Sequence, residues 1–228
     1  MQRESSWRLS RLHEARLYLC VGLRRERADL EPFLDAVLAN GVDVVQLREK
    51  EAPREELRTA AATFRAAARR HGALFIVNDD PALAADVDAD GVHVGQEDAP
   101  PAQARAVVGH NRLVGRSTHS ESEIKRALTE DCDYFAVGPV HATPTKAGRS
   151  PVGLEPVQYA TSAAGGRPWF VTGGMGPVTA PAVIAAGGRR LVVVRAITEA
   201  DDPAAVSSQL AMTLRDAARA PIPLGPRP

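Results

Sequence analysis

The sequence predicts an α/β fold, a single (β/α)8 barrel of the TIM type. Three observations predict it. Eight short β-branched runs alternate with eight longer amphipathic ones, polar residues gather where the short runs end, and 228 residues suit one such barrel. ARLYLCVG at 15–22 reads as the first strand and LEPFLDAVLANG at 30–41 as the first helix. VDVVQLRE at 42–49 pairs with PREELRTAAATFRAAARRHG at 53–72, and ALFIVND at 73–79 with PALAADVDA at 81–89. Pro53 and Pro81 suit first helical turns, while Gly41 and Gly72 suit helix ends.

The second half repeats the pattern. DGVHVG precedes PPAQARAVVG, RLVGRST precedes SESEIKRALTED, and CDYFAVG precedes LEPVQYATSAA. PWFVTG is followed by PVTAPAVIAAG, and RLVVVRA by DPAAVSSQLAMTLRDAAR. Strict alternation implies parallel strands with right-handed crossovers. An open doubly wound sheet suits fewer strands, and the TGGMG turn at 172–176 comes too late to be a dinucleotide fingerprint. Residues 1–14 are expected to form a short helix closing the barrel floor, with Trp7, Leu9 and Leu12 as its apolar side. The barrel is expected over 15–219, with a mobile Pro- and Gly-rich tail at 220–228.

Composition narrows the function classes. Lys+Arg of 28 cancels Asp+Glu of 28, so no basic surplus points to nucleic acid, and anionic ligands must be held by local charge. Cys20 and Cys132 lie in apolar runs without CxxC spacing, which predicts buried, reduced thiols and a cytoplasmic setting. MQRESSWRLSRLHEAR has no apolar signal core, and no stretch approaches the roughly 18 apolar residues of a membrane span. The pattern leaves open whether the chain works alone or as a homo-oligomer.

In a barrel of this kind chemistry sits at the C-terminal ends of the strands. Val42, Val44, Gln46, Arg48 and Lys50 share one face of the second strand, which turns cationic only at its far end. The third strand ends in Asn78, Asp79 and Asp80, and the fourth runs into Gln96, Glu97 and Asp98. Carboxylates on neighbouring strand ends repel unless a cation joins them, so Asp79 and Asp98 are candidate Mg2+ ligands. Helix capping competes with that reading: Asp80 precedes Pro81, and Asp98 precedes Pro100. Ser117, Thr118 and His119 close the fifth strand; Ser117 suits a phosphate donor or an ordinary loop hydroxyl, His119 a hydrogen-bonded surface residue, and Ser120 a helix N-cap.

GPVHATPTKAGRSPVG at 138–153 is too rich in Gly, Pro and Thr to be regular and reads as a lid. Thr143, Thr145 and Lys146 offer it hydroxyls and an ammonium for a phosphorylated ligand, with Arg149 nearby. The seventh strand meets TGGMG and the eighth meets RAIT, the pair of loops that often cradles phosphate in this architecture.

QLREK, VND, GVHVGQED, GRSTH, GPVHATPTK, TGGM and VVVRAIT stand in the order and spacing of the thiamine-phosphate synthase family, which the chain resembles over residues 15–215. VVVRAITEADDP looks like actinobacterial members in particular. The resemblance implies an Mg2+-dependent transferase acting on small molecules, joining a pyrimidine pyrophosphate to a thiazole phosphate through a pyrimidine carbocation. It implies that Gln46, Arg48, Lys50, Asn78, Ser117 and Lys146 hold the pyrimidine pyrophosphate, with Arg48, Lys50, Lys146 and Ser117 serving catalysis. Asp79 and Asp98 would bind Mg2+, and Thr143, Thr145, Gly174, Val194 and Arg195 the thiazole phosphate. Three positions depart from the family pattern: Arg195 stands where many relatives carry Ser, and His141 and Ala142 replace an aromatic residue and a proline. Two other readings share the barrel. A thiazole tautomerase needs a proton-transfer residue instead of pyrophosphate grips, and a module that senses thiamine intermediates would bind without turnover.

Overall fold

The computed structural model describes residues 2–143 and 150–220, with side chains from Ser6 onward. The expected tail from 221 and the 144–149 part of the expected lid, including Thr145, Lys146 and Arg149, lie outside the described residues. Eight strands close into one all-parallel barrel in sequence order: β1 (Leu17–Val21), β2 (Val44–Leu47), β3 (Leu74–Asn78), β4 (Gly91–Val94), β5 (Leu113–Thr118), β6 (Tyr134–Val137), β7 (Trp169–Val171) and β8 (Leu191–Val193). Closure is direct, since Tyr18 of β1 registers with Val44 of β2 on one side and with Val192 of β8 on the other.

The helices follow their strands: α1 (Gln2–Glu14) before β1, then α2 (Leu30–Ala39), α3 (Arg54–His71), α4 (Pro81–Asp86), α5 (Pro101–Val108), α6 (Glu121–Ala127), α7 (Glu155–Ala163), α8 (Ala180–Ala185), α9 (Arg195–Thr198) and α10 (Pro203–Arg219). Local chemistry sets their limits. The Asp80 side chain accepts from Leu83 N–H at 2.8 Å ahead of Pro81, Ser120 caps α6 through Glu123 N–H, and Gly72 ends α3 in the left-handed conformation at φ 63°. The long α3 is rich in alanine and buries Ala60, Ala61, Phe64, Ala67 and Ala68, a stripe at helical spacing. Pro53 sits one residue earlier than expected, as the N-cap itself. The eighth strand is shorter than the RLVVVRA run, because the chain turns at Val194 into the one-turn α9.

Strand alternation divides the apolar residues into two clusters. Leu17, Leu19, Val21 and Val45 face outward into a shell with Phe64, Phe75, Phe135 and the helix faces. Tyr18, Cys20, Val44, Leu74, Ile76, Leu113, Tyr134 and Phe170 fill the interior, with Leu12 and Ala15 from the N-terminal segment below them. Each fully buried Leu or Phe contributes roughly 1.5–3 kcal/mol to this packing.

The floor helix forms, but its contact face differs from the expected one. Leu12 is buried, whereas Trp7 and Leu9 are 41% and 39% exposed. Arg8, Leu12 and Ala15 recur at helical spacing, so that stripe meets the floor and leaves Leu9 turned away. Polar contacts complete the seal: Arg8 pairs with Asp90 at 2.8 Å, and Arg11 donates to the Gly72 carbonyl.

The N-terminal rim carries a repeated device. Asp43, Asp90 and Asp133 stand just before β2, β4 and β6, and each carboxylate accepts a backbone N–H at the start of the preceding strand: Leu17, Phe75 and Val114 respectively. These acids pin register at the end of the barrel remote from the expected chemistry. Close approach is also fixed at Gly91, where an added Cβ would overlap the Leu113 carbonyl, whereas a Cβ on Gly72 would meet open space. Gly91→Ala is therefore expected to lower stability by about 2 kcal/mol or more, and Gly72→Ala by about 1 kcal/mol from its left-handed backbone alone. Thermal or urea unfolding of the two variants checks the ranking.

Candidate active site

A cavity of about 620 Å3 opens at the C-terminal ends of the strands. Gln46, Arg48, Lys50, Asn78, Asp79, Asp98, Ser117, Thr143, Gly174, Val194 and Arg195 all line it, so every described residue expected at the site reaches one space. Thr145 and Lys146 lie outside the described residues.

Strand β2 supplies the cationic wall. Gln46 is 3% exposed and points into the barrel, and the chain beyond the strand carries Arg48 and Lys50 up to the mouth. Arg48 N–H donates to the Val21 carbonyl at 3.0 Å, extending the ladder far enough to fix that direction. Lys50 Nζ lies 3.7 Å from Asp79 Oδ2.

Asp79 follows the last residue of β3 with φ 64°, a left-handed backbone that a non-glycine residue adopts at a cost. Its N–H is tied to the His93 carbonyl at 2.8 Å. This holds the carboxyl half-buried against Asp98, and its pKa rises from the ordinary 3.8 to about 6. Burial is the main cause; the hydrogen bond and charge of Asp98 add to it, and Lys50 opposes it. Asp98 does not cap a helix: Pro100 occupies the cap position of α5, and Asp98 Oδ2 accepts Gly95 N–H at 2.7 Å instead. A Cβ on Gly95 would come within 2.9 Å of that oxygen and push the Asp98 carboxylate aside.

Among the described residues no group of three or more His, Cys, Asp or Glu is placed to hold a metal. Two carboxylates alone would suit only a hard cation whose sphere water and substrate oxygens complete. A pair of carboxyls, one of which holds its proton above the ordinary range when alone, suits the donor set of Mg2+.

The opposite wall comes from the loops after β7 and β8. Gly174 takes φ 68° and packs against His141, while Thr179 Oγ1 accepts Gly176 N–H at 3.0 Å and donates to the Gly174 carbonyl at 2.9 Å. Arg195 is exposed at the mouth, its guanidinium 4.0 Å from Glu199. Thr143 is half-buried on the side facing these loops.

Several lining groups were not singled out from sequence. Tyr18, Cys20 and His93 form the floor, and Gln96, Met175 and Thr179 the sides. Their signal was present in the alternation: Tyr18 and Cys20 share a face of β1 between Leu17, Leu19 and Val21, and His93 stands between Val92 and Val94. Cys20 and Cys132 are both free and buried, as expected, but Cys20 also borders the cavity. His119 is half-buried and hydrogen-bonded through Nδ1 to the Gly138 carbonyl.

The thiamine monophosphate synthase family matches residues 17–197. The chain belongs to that family. It is 49% identical over 208 residues to the thiamine-phosphate synthase of Acidothermus cellulolyticus, covering 91% of this chain and 98% of that one. It is 48% identical over 216 residues to that of Mycobacterium tuberculosis strain H37Ra, covering 90% and 97%. Among solved structures, a thiamine phosphate pyrophosphorylase from Pyrococcus furiosus superposes with a TM-score of 0.81 at 28% identity, covering 90% of this chain and 98% of that one. A 3-hexulose-6-phosphate synthase from Salmonella typhimurium shares the fold alone, with a TM-score of 0.64 at 18% identity. No helix among the described residues of this synthase-family chain is long and apolar enough to cross a membrane.

The Asp79 shift sets a pH dependence. Because the folded value lies above the ordinary one, the stability contributed by protonated Asp79 is fully present below about pH 4 and is lost as pH rises through about 6. Without divalent cations, Asp79→Asn is expected to raise the melting temperature at pH 7.5 and to leave it nearly unchanged at pH 4. Melting scans at both pH values check this, and an Asn variant less stable than the parent at pH 7.5 contradicts it.

Proposed function

We propose that this barrel joins 4-amino-2-methyl-5-hydroxymethylpyrimidine pyrophosphate to 4-methyl-5-(2-phosphooxyethyl)thiazole, or its carboxylated form, giving thiamine phosphate and pyrophosphate. One observation carries the reading: a single cavity sets the cationic end of β2 beside the paired carboxylates of β3 and β4, opposite the glycine loops of β7 and β8.

In this reading Gln46 and Asn78 orient the aminopyrimidine, and Arg48, Lys50 and Ser117 meet the diphosphate. Lys146, by family resemblance, joins them from the lid. Asp79 and Asp98 would hold Mg2+, which supplies positive charge to the diphosphate oxygens when bound. The carbon–oxygen bond to the diphosphate breaks with its electron pair leaving on oxygen, and the electron-rich ring spreads the resulting positive charge. The thiazole nitrogen then forms the new bond to that methylene. No protein nucleophile is needed. Arg48 and Lys50 neutralise charge that grows on the leaving group, and such fixed electrostatics lower a barrier by several kcal/mol.

The thiazole phosphate is assigned to Thr143, Thr145, Gly174, Val194 and Arg195. Gly174 takes a left-handed backbone at the cavity wall, and the Arg195 guanidinium, only 4.0 Å from Glu199, lines the same cavity and supplies a cation for a phosphate.

Incubation with both substrates is expected to yield thiamine phosphate and pyrophosphate in equal amounts, and only with Mg2+ present. Binding of both without product would favour a sensing role and contradict the proposal. Asp98→Ala and Lys146→Ala are expected to depress turnover at least about a hundredfold while shifting the melting temperature by only a few degrees. Parallel loss of fold and activity would assign them structural roles instead. Mg2+ should raise the melting temperature of the parent and not of Asp98→Ala.

A further inference from the structure

Beneath the cavity, six interior side chains from five strands form one continuous hydrogen-bonded chain. The Cys20 thiol donates to Gln46 Oε1 at 3.2 Å, and Gln46 Nε2 donates to the Tyr18 hydroxyl at 2.7 Å. The Tyr18 and Tyr134 hydroxyls are 3.1 Å apart, Tyr134 lies 3.3 Å from His93 Nδ1, and His93 Nε2 lies 3.0 Å from Ser117 Oγ. Gly115 makes the last links possible, because a Cβ there would overlap both the Tyr134 ring and His93 Nδ1.

The orientation of the Gln46 amide, oxygen toward Cys20 and nitrogen toward Tyr18, gives the chain a direction. An amide nitrogen only donates, so the Tyr18 oxygen accepts from Gln46 and turns its own proton to Tyr134. Burial pushes both phenols well above their ordinary range, so both keep their protons. Tyr134 accepts from Tyr18 and therefore donates to His93 Nδ1, which must carry a lone pair. A neutral His93 then bears its proton on Nε2 and donates it to Ser117 Oγ. The Ser117 proton is left for the cavity.

We propose that His93 is a positioning residue: its Nε2–H, fixed by the chain from Cys20 through Tyr134, holds Ser117 Oγ as an acceptor on its buried side and dedicates the Ser117 hydroxyl proton to the departing diphosphate. The proposal rests on Ser117 contacting that diphosphate. With the polarity reversed, Ser117 would give its proton to His93 and face phosphate oxygens with a lone pair.

Nitrogen-15 NMR of histidine-labelled full-length protein reads the tautomer without substrate, with His93→Gln assigning the signal. The Nε2–H tautomer is expected; the Nδ1–H tautomer overturns the proposal. Tyr134→Phe removes one oxygen and is expected to let His93 populate both tautomers, and an unchanged tautomer there also overturns it. In kinetics with both substrates, Ser117→Ala is expected to lower kcat about ten- to a hundredfold, His93→Leu by a similar factor, and the double variant no further. His93→Gln, which keeps an amide donor near the place of Nε2, is expected to recover most of the loss. Multiplying losses in the double variant would show that His93 acts elsewhere and sink the proposal alone. Normal turnover by Ser117→Ala would sink both the diphosphate contact and the proposal built on it.

Discussion

Two carboxyl groups held against each other at the top of the barrel organise the site. Asp79 is fixed by a left-handed backbone and by its N–H bond to β4, and Asp98 by Gly95 N–H, so neither can relax away from the other. Burial first, and the neighbouring Asp98 second, keep the proton on the Asp79 carboxyl up to about pH 6, so the place favours one proton or one cation. The acids of the opposite rim behave differently. Asp43, Asp90 and Asp133 each accept backbone N–H groups at strand starts and each faces an arginine, so their charge is satisfied within the protein. The same residue type thus does structural work at one end of the barrel and leaves charge to be used at the other.

The barrel interior connects these ends. Its lower layers are apolar and sealed by Leu12, while the layer beneath the cavity is polar yet fully hydrogen-bonded. An unsatisfied buried hydroxyl or amide would cost about 1–3 kcal/mol, so such a layer persists only when every member finds a partner. Gly115 is the space that lets Tyr134 and His93 meet. A floor of this kind is stiff, and it gives Gln46 and Ser117 set orientations before any ligand arrives.

Most of this was legible in the sequence, because a parallel barrel writes itself as a period: strands near their observed places, helix ends at Gly72 and Asp80, and a cationic tip at Arg48 and Lys50. The end of β8 and the start of α9 were less clear, since the RLVVVRA run gives no sign that the chain turns at Val194. Trp7 and Leu9 misled because apolarity alone cannot tell which stripe of a short helix meets its floor. Asp98 was ambiguous until Pro100 proved to be the cap and Gly95 the partner. Tyr18, Cys20 and His93 pass in sequence for ordinary core residues, and only closure of the ring brings strands far apart in the chain into one network.

The central claim is that the tips of β2, β3 and β4 hold a leaving diphosphate and its metal. A crystal structure of the full chain with Mg2+ and pyrophosphate tests it most directly. The diphosphate should lie among Arg48, Lys50 and Asn78, with the metal between Asp79 and Asp98. Diphosphate bound instead at the loops of Gly174 and Arg195, with the two aspartates free of metal, would contradict it.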